Sequence, residues 1–120
     1  MKALAVTTFV LLAACMPSGR TLLPSQRVHK PQAKYLAGCY LGRAGDRMLL
    51  RSDLTVKNLF RDGTVRDGES WFIENSHVLF GDREEIKFWG YEVYLVPGTG
   101  YVLTEVNELM HQVAPKECGL

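Results

Sequence analysis

The chain has 120 residues, 47% of them apolar and 22% charged, with 14 basic against 13 acidic side chains. That length suits one domain with a small core. A formal charge of +1 lacks the basic excess that nucleic-acid binding demands, so no nucleic-acid partner is expected.

The opening stretch, Met1 to Cys15, places a single base, Lys2, before an uncharged run from Ala3 to Ala14. A basic start, an apolar middle and small residues before a cut follow the order of a secretory signal. The run is too short for a membrane span, which takes about 20 residues at roughly 1.5 Å rise each. It ends in Leu12-Ala13-Ala14-Cys15. These four residues resemble the lipobox of bacterial lipoproteins. The resemblance implies that residues 1–14 are a signal peptide removed on export, that Cys15 carries a diacylglycerol thioether, and that its new amino group is acylated. One acyl chain holds a protein only marginally, whereas two or three hold it stably, so Cys15 becomes a membrane anchor. Met16 follows the cysteine, in place of the aspartate that favours the inner membrane in enteric lipoproteins. The resemblance therefore implies an outer-membrane lipoprotein with its domain in the periplasm or at the cell surface.

Residues 15–34 read as the lipidated terminus and a linker: Pro17, Pro24 and Pro31 are mixed with Ser18, Gly19, Ser25 and Gln26, and no helical or strand period is sustained. Treated as a flexible coil, a tether of this length spans about 24 Å. It carries Arg20, Arg27, Lys30 and Lys34 and no acid, whereas residues 35–120 hold nine bases and thirteen acids. His29 is expected to be exposed and without a role. With Cys15 given to lipid, Cys39 and Cys118 form an even pair in an oxidising compartment, and we expect them to be bonded and to staple the domain at 35–120.

From Tyr35 onward short apolar runs are broken by Gly, Asp and Asn, the texture of strands and tight turns. Leu36 to Leu41 is the first expected strand, Arg47 to Arg51 the second and Leu54 to Phe60 the third. Asp62-Gly63 signals a type I′ hairpin, and Asp67-Gly68 repeats that signal. Glu69 to Glu74 and His77 to Phe80 follow, joined at Asn75-Ser76. Glu85 to Trp89 alternates charged and apolar residues, and Gly90 is expected to break it. Tyr91 to Val96 and Tyr101 to Val106 form a hairpin around Pro97-Gly98-Thr99-Gly100. Val106, Leu109, Met110 and Val113 stand at i, i+3, i+4 and i+7, which predicts a short helix stopped near Ala114-Pro115. The sum is a mainly β fold: an antiparallel meander forming a small barrel or a curved sheet, with a short C-terminal helix. Its texture is similar to that of small envelope lipoproteins with lipocalin-like half barrels, a likeness that names no family.

No spacing of residues suggests catalysis. His77 and His111 have no second ligand nearby, and Asp82, Glu84 and Glu85 lack the pattern of a calcium loop. We expect neither enzyme activity nor a cofactor or metal. Aromatic residues gather between positions 71 and 101, and strand alternation sends neighbours to opposite faces. This makes Trp71, Trp89, Tyr91 and Tyr94 the candidate protein-binding surface. The expected function is a non-enzymatic, lipid-anchored protein-binding or accessory module with an envelope protein as its partner. The alternative is an inhibitor of a periplasmic hydrolase such as lysozyme or a protease, inserting Pro97 to Gly100 or Gly42 to Asp46 into a cleft. A small-ligand carrier needs an interior cavity, for which so short a chain leaves little volume.

Overall fold

The computed structural model describes the backbone of residues 22–82, 87–106 and 108–120, and the side chains of all these except 82 and 87–89. Eight strands run in sequence order around a closed antiparallel barrel: β1 (Gly38–Gly42), β2 (Arg47–Leu50), β3 (Thr55–Leu59), β4 (Val65–Glu74), β5 (His77–Asp82), β6 (Lys87–Val96), β7 (Gly100–Thr104) and β8 (Leu109–Val113). Sequence left barrel and curved sheet open, and pairing of β8 with β1 decides for the barrel. Closure removes the free edges that an open sheet would expose. Alternate residues point inward and meet across the strands: Tyr40 opposite Met48, Leu50 opposite Val56, Trp71 opposite Phe80, Val78 opposite Tyr91, and Val93 opposite Leu103. All ten are almost wholly buried and form the core, in which the rings of Phe80 and Tyr91 meet edge to face at 5.5 Å. Among the described residues no helix is long and apolar enough to cross a membrane.

Three hairpins are built alike. At Gly42–Asp46, Arg51–Thr55 and Phe60–Thr64 the first residue's N–H donates to the fifth residue's carbonyl (2.7, 2.9 and 2.8 Å), and the fourth residue's N–H donates back to the first's (3.1, 3.0 and 2.8 Å). This is a three-residue loop, a type I turn followed by a left-handed residue. Gly45 (φ 94°) and Gly63 (φ 92°) fill the left-handed position in the outer two, and Leu54 (φ 69°) fills it in the middle one. Asp62-Gly63 is therefore not the type I′ turn expected. Only the glycine has positive φ, while the Asp62 carboxylate accepts the Thr64 N–H at 2.9 Å. The two-residue turn with both φ positive is Asn75-Ser76, at 51° and 65°.

Other expectations are corrected where glycine lies within a strand. Asp67-Gly68 is no turn: β4 continues through it, and the register against β3 shifts by one residue, with Gly68 (φ 95°) in a bulge. Nor does Gly90 break β6. It pairs with Leu79, whose side chain occupies the space a Cβ at position 90 would need. The predicted helix over Val106 to Val113 is strand β8. Met110 enters the core opposite Leu103, and Val106 is 98% exposed in the turn before it. A two-turn apolar stripe is outweighed by the ladder hydrogen bonds that β1 and β7 both require of an eighth strand. The C-terminal helix is the single turn α2 (Pro115–Cys118), preceded in chain order by another, α1 (Ala33–Leu36).

Residues 22–34, expected in the linker, lie on the barrel. After a 3-10 turn at Pro24–Gln26, Arg27 pairs with Tyr94, and Val28 donates its N–H to the Val93 carbonyl at 2.8 Å. Ser76 donates its hydroxyl to the His29 carbonyl. The chain then crosses the barrel end as α1. Leu36 is wholly buried there, Val28 and Ala33 pack on the core, and the Tyr40 hydroxyl donates to the Leu36 carbonyl at 2.8 Å. Burial pushes the Tyr40 phenol far above its ordinary range. A run read as proline-rich and aperiodic is thus a plug, held by backbone bonds to a strand that outruns its neighbour.

Candidate functional site at the open end of the barrel

A meander brings alternate hairpins to the same end. The β2–β3, β4–β5 and β6–β7 turns share the plugged end, and the β1–β2, β3–β4 and β7–β8 turns ring the opposite one. There a cleft of about 570 Å³ opens between Arg43 and Asp46 on one loop, Arg61 and Asp62 on the next, and Glu105 and Glu108 on the third. Beneath it an inner cavity of about 210 Å³ reaches Met48, Phe80, Tyr91 and Met110, with Asp46, Phe60 and Glu108 bordering both spaces. The outer cleft falls within the range of small-molecule sites, roughly 300–1,000 Å³, and the inner cavity falls below it. It suits one side chain better than a carried ligand.

Hydrogen bonds fix the rim. The Arg61 N–H donates to Asp46 Oδ1 at 2.7 Å, joining the first two loops. Glu105 and Glu108 exchange backbone bonds at 2.9 and 3.4 Å, and the Thr104 hydroxyl donates to the Glu108 carbonyl at 3.2 Å. From inside the barrel the Tyr91 hydroxyl donates to Glu108 Oε2 at 2.7 Å. Burial raises the Glu108 carboxyl above its ordinary value, and the neighbouring Asp46 and Glu105 carboxylates add to this while the Tyr91 phenol opposes it. Asp62 is held below the usual carboxylate range, chiefly by the Thr64 N–H. Both signs of charge therefore face the cleft from short, braced loops, with aromatic surface below them.

The sequence-derived surface of four aromatics does not assemble. Trp71 is 1% exposed in the core, its indole N–H donating to the Arg51 carbonyl at 3.0 Å. Tyr91 is also buried, and contributes only its hydroxyl to the rim. Both lie on the inward parity of their strands, so they are corrected from surface to core. Tyr94 is half-buried on the outer face beneath the Arg27 guanidinium, 5.9 Å from the ring centre. The Trp89 side chain and the Asp82, Glu84 and Glu85 cluster lie outside the described residues, as does Cys15. Cys39 and Cys118 are bonded, with Cα atoms 5.7 Å apart, and both are buried where α2 packs on β1 and β2. The Arg47 guanidinium donates to the Cys118 carbonyl at 3.0 Å.

Of the two candidate insertion loops, Gly42 to Asp46 belongs to the rim, and Pro97 to Gly100 turns at the plugged end. His77 bonds the Asn75 carbonyl through Nδ1 at 2.7 Å, and His111 stands on β8, not on a helix. Among the described residues no three His, Cys, Asp or Glu side chains converge as a metal site. Sequence reading missed Phe60, Arg61, Glu105 and Glu108. Their only signal was position, since each lies in or beside a turn between alternate strands, and that places them together only once β8 is known to close the barrel. Comparison of the chain with protein families, curated proteins and solved structures finds no match, so the geometry of this open end is what speaks for function.

Proposed function

We propose that the protein is a lipid-anchored, non-enzymatic binding module of the bacterial cell envelope, anchored through Cys15 in the outer membrane, and that the open end of its barrel grips a segment of an envelope protein. The observation that carries this reading is the asymmetry of the two ends. One is plugged by the chain's own residues 22–36, and the other opens as a cleft of about 570 Å³ lined by both signs of charge. Braced loops lose little backbone freedom on binding, and Arg43, Arg61 and Glu105 offer both signs of charge to a polypeptide carrying complementary side chains.

Site-specific photocrosslinking in cells tests this. A photoreactive residue at position 43 or 61 is expected to trap one envelope protein, and the same residue at position 57, on the outer wall, is not. With the probe at position 43, the double reversal Arg61→Glu with Glu105→Lys should abolish the adduct while the barrel stays folded. Adducts of equal yield from 43, 61 and 57 defeat the proposal. The Gly42–Asp46 loop also supports the inhibitor reading, because it stands on the rim with Arg43 exposed at its tip. For that reading the trapped protein is a hydrolase such as lysozyme or a protease, and the purified chain slows it; a panel left at full activity rules it out.

A further inference from the structure

We infer that the plugged end of the barrel rests against an anionic lipid surface, and that this contact aims the open cleft away from the membrane. The inference builds on the proposed lipid at Cys15 and adds an orientation to it. The N-terminal segment runs antiparallel to β6 where Arg27 meets Tyr94, so Leu22 and Leu23 lie towards the end at which β6 turns into β7. The chain therefore reaches the barrel at its plugged end. Only residues 16–21 separate Cys15 from Leu22. Fully extended, that stretch spans no more than about 25 Å. A lipid on Cys15 leaves the plugged end as the face nearest the bilayer.

The residues on that face suit such a neighbour. Six large apolar side chains are exposed among the described residues: Val65 (52%) and Val106 (98%) stand at turns of the open end, and the other four are Leu23 (54%), Tyr35 (54%), Leu54 (43%) and Leu95 (47%). All four belong to this end: Leu23 to the incoming segment, Tyr35 to α1, Leu54 to the β2–β3 turn, and Leu95 to the last residues of β6. Leu54 is the more telling because it occupies the left-handed position that glycine fills in the two sister hairpins of the opposite end. Leu54 is no part of the core, and a lipid contact accounts for a leucine there. Tyr35 lies one residue before the buried Leu36, with the Lys34 ammonium 4.9 Å from its ring centre, an aromatic and cationic pair of the kind that sits at membrane interfaces. At the plugged end Lys30 and Lys34 are exposed, Arg27 is largely covered beside Glu92, and the turns add Asp53 and Glu74, whereas Arg43 and Arg61 around the cleft are outnumbered by Asp46, Asp62, Glu105 and Glu108. Anionic headgroups favour the first face over the second.

The test uses the lipidated chain reconstituted into phosphatidylglycerol-containing nanodiscs with a paramagnetic label on a fraction of the headgroups. Amide relaxation is read along the chain. Strong enhancement is expected at Leu23, Tyr35, Leu54 and Leu95, and background values at Arg43, Arg61 and Glu105. The variant Tyr35→Ser with Leu54→Ser, or a phosphatidylcholine disc, should lower the enhancement severalfold without changing the amide spectrum of the core. Equal enhancement at both ends, or the strongest enhancement at the cleft, overturns the orientation while leaving the anchor in place. A mass showing unmodified Cys15 overturns the anchor, and the orientation with it, so the two failures are told apart.

Discussion

Leu54 carries a backbone conformation that costs an L-residue roughly 1–2 kcal/mol relative to the right-handed region. Its two counterparts, Gly45 and Gly63, avoid that cost. Leu54→Gly is therefore expected to stabilise the barrel by about 1 kcal/mol, less than the full strain because glycine gains more entropy on unfolding. Urea midpoints of the two proteins check it. Glu108 makes a second residue-scale prediction. Its carboxyl, raised by burial and by its acidic neighbours, keeps its proton in the fold at pH values where the unfolded chain has lost it. Stability on that account is greatest below the ordinary glutamate value of about 4.3 and falls as the pH rises through the folded value. Glu108→Gln removes this slope, so the variant should be the more stable at neutral pH and gain nothing in acid, as denaturation at a series of pH values would register. Single residues were the hardest to read from sequence. Trp71 and Tyr91 are amphipathic and belong to strands of mixed character, so nothing in their own identity says which face closes over them.

Among the elements, β2, β3, β5 and β7 were legible within a residue or two at most boundaries, because short apolar runs lie between turn residues in each. Where sequence and structure part, glycine or length is the reason. Gly68 and Gly90 sit inside long strands because a bulge and a neighbouring leucine need them there, and both were read as breaks. The plug is the other departure. Its buried groups are few, Leu36 with Val28 and Ala33 beside it, and they are too widely spaced to show a period. Leu36, expected at the start of the first strand, is a wholly buried core residue and should cost about 2–5 kcal/mol when cut back to Ala. If residues 22–34 were only a spacer, Val28→Ala would leave stability unchanged, whereas a valine packed on the core should cost about 1 kcal/mol. Thermal denaturation of the full chain separates these outcomes.

For the whole molecule, the pairing of Cys39 with Cys118 was legible from cysteine parity, and the closure that it secures was not, because β8 hid behind a helical period. The bond lies beside the seam where the first strand meets the last, Cys39 itself being paired with Val113. Closing a loop of 79 residues is worth about 4.5 kcal/mol by loop entropy, so Cys39→Ser with Cys118→Ser should lose up to that much. A shift in the urea midpoint, matched by adding reductant to the native chain, would measure it. The same bond also decides how the molecule carries load. Tension applied on the N-terminal side of Leu22 first loads the plug's bonds to β6 and, once these yield, meets Cys39 one residue into β1, from where it passes straight to Cys118, leaving the intervening seven strands slack. Stretched by its two termini, the oxidised chain should yield only its plug and its ends. After reduction it should release a further length of roughly 280 Å, the extended span of the 79 residues the bond encloses.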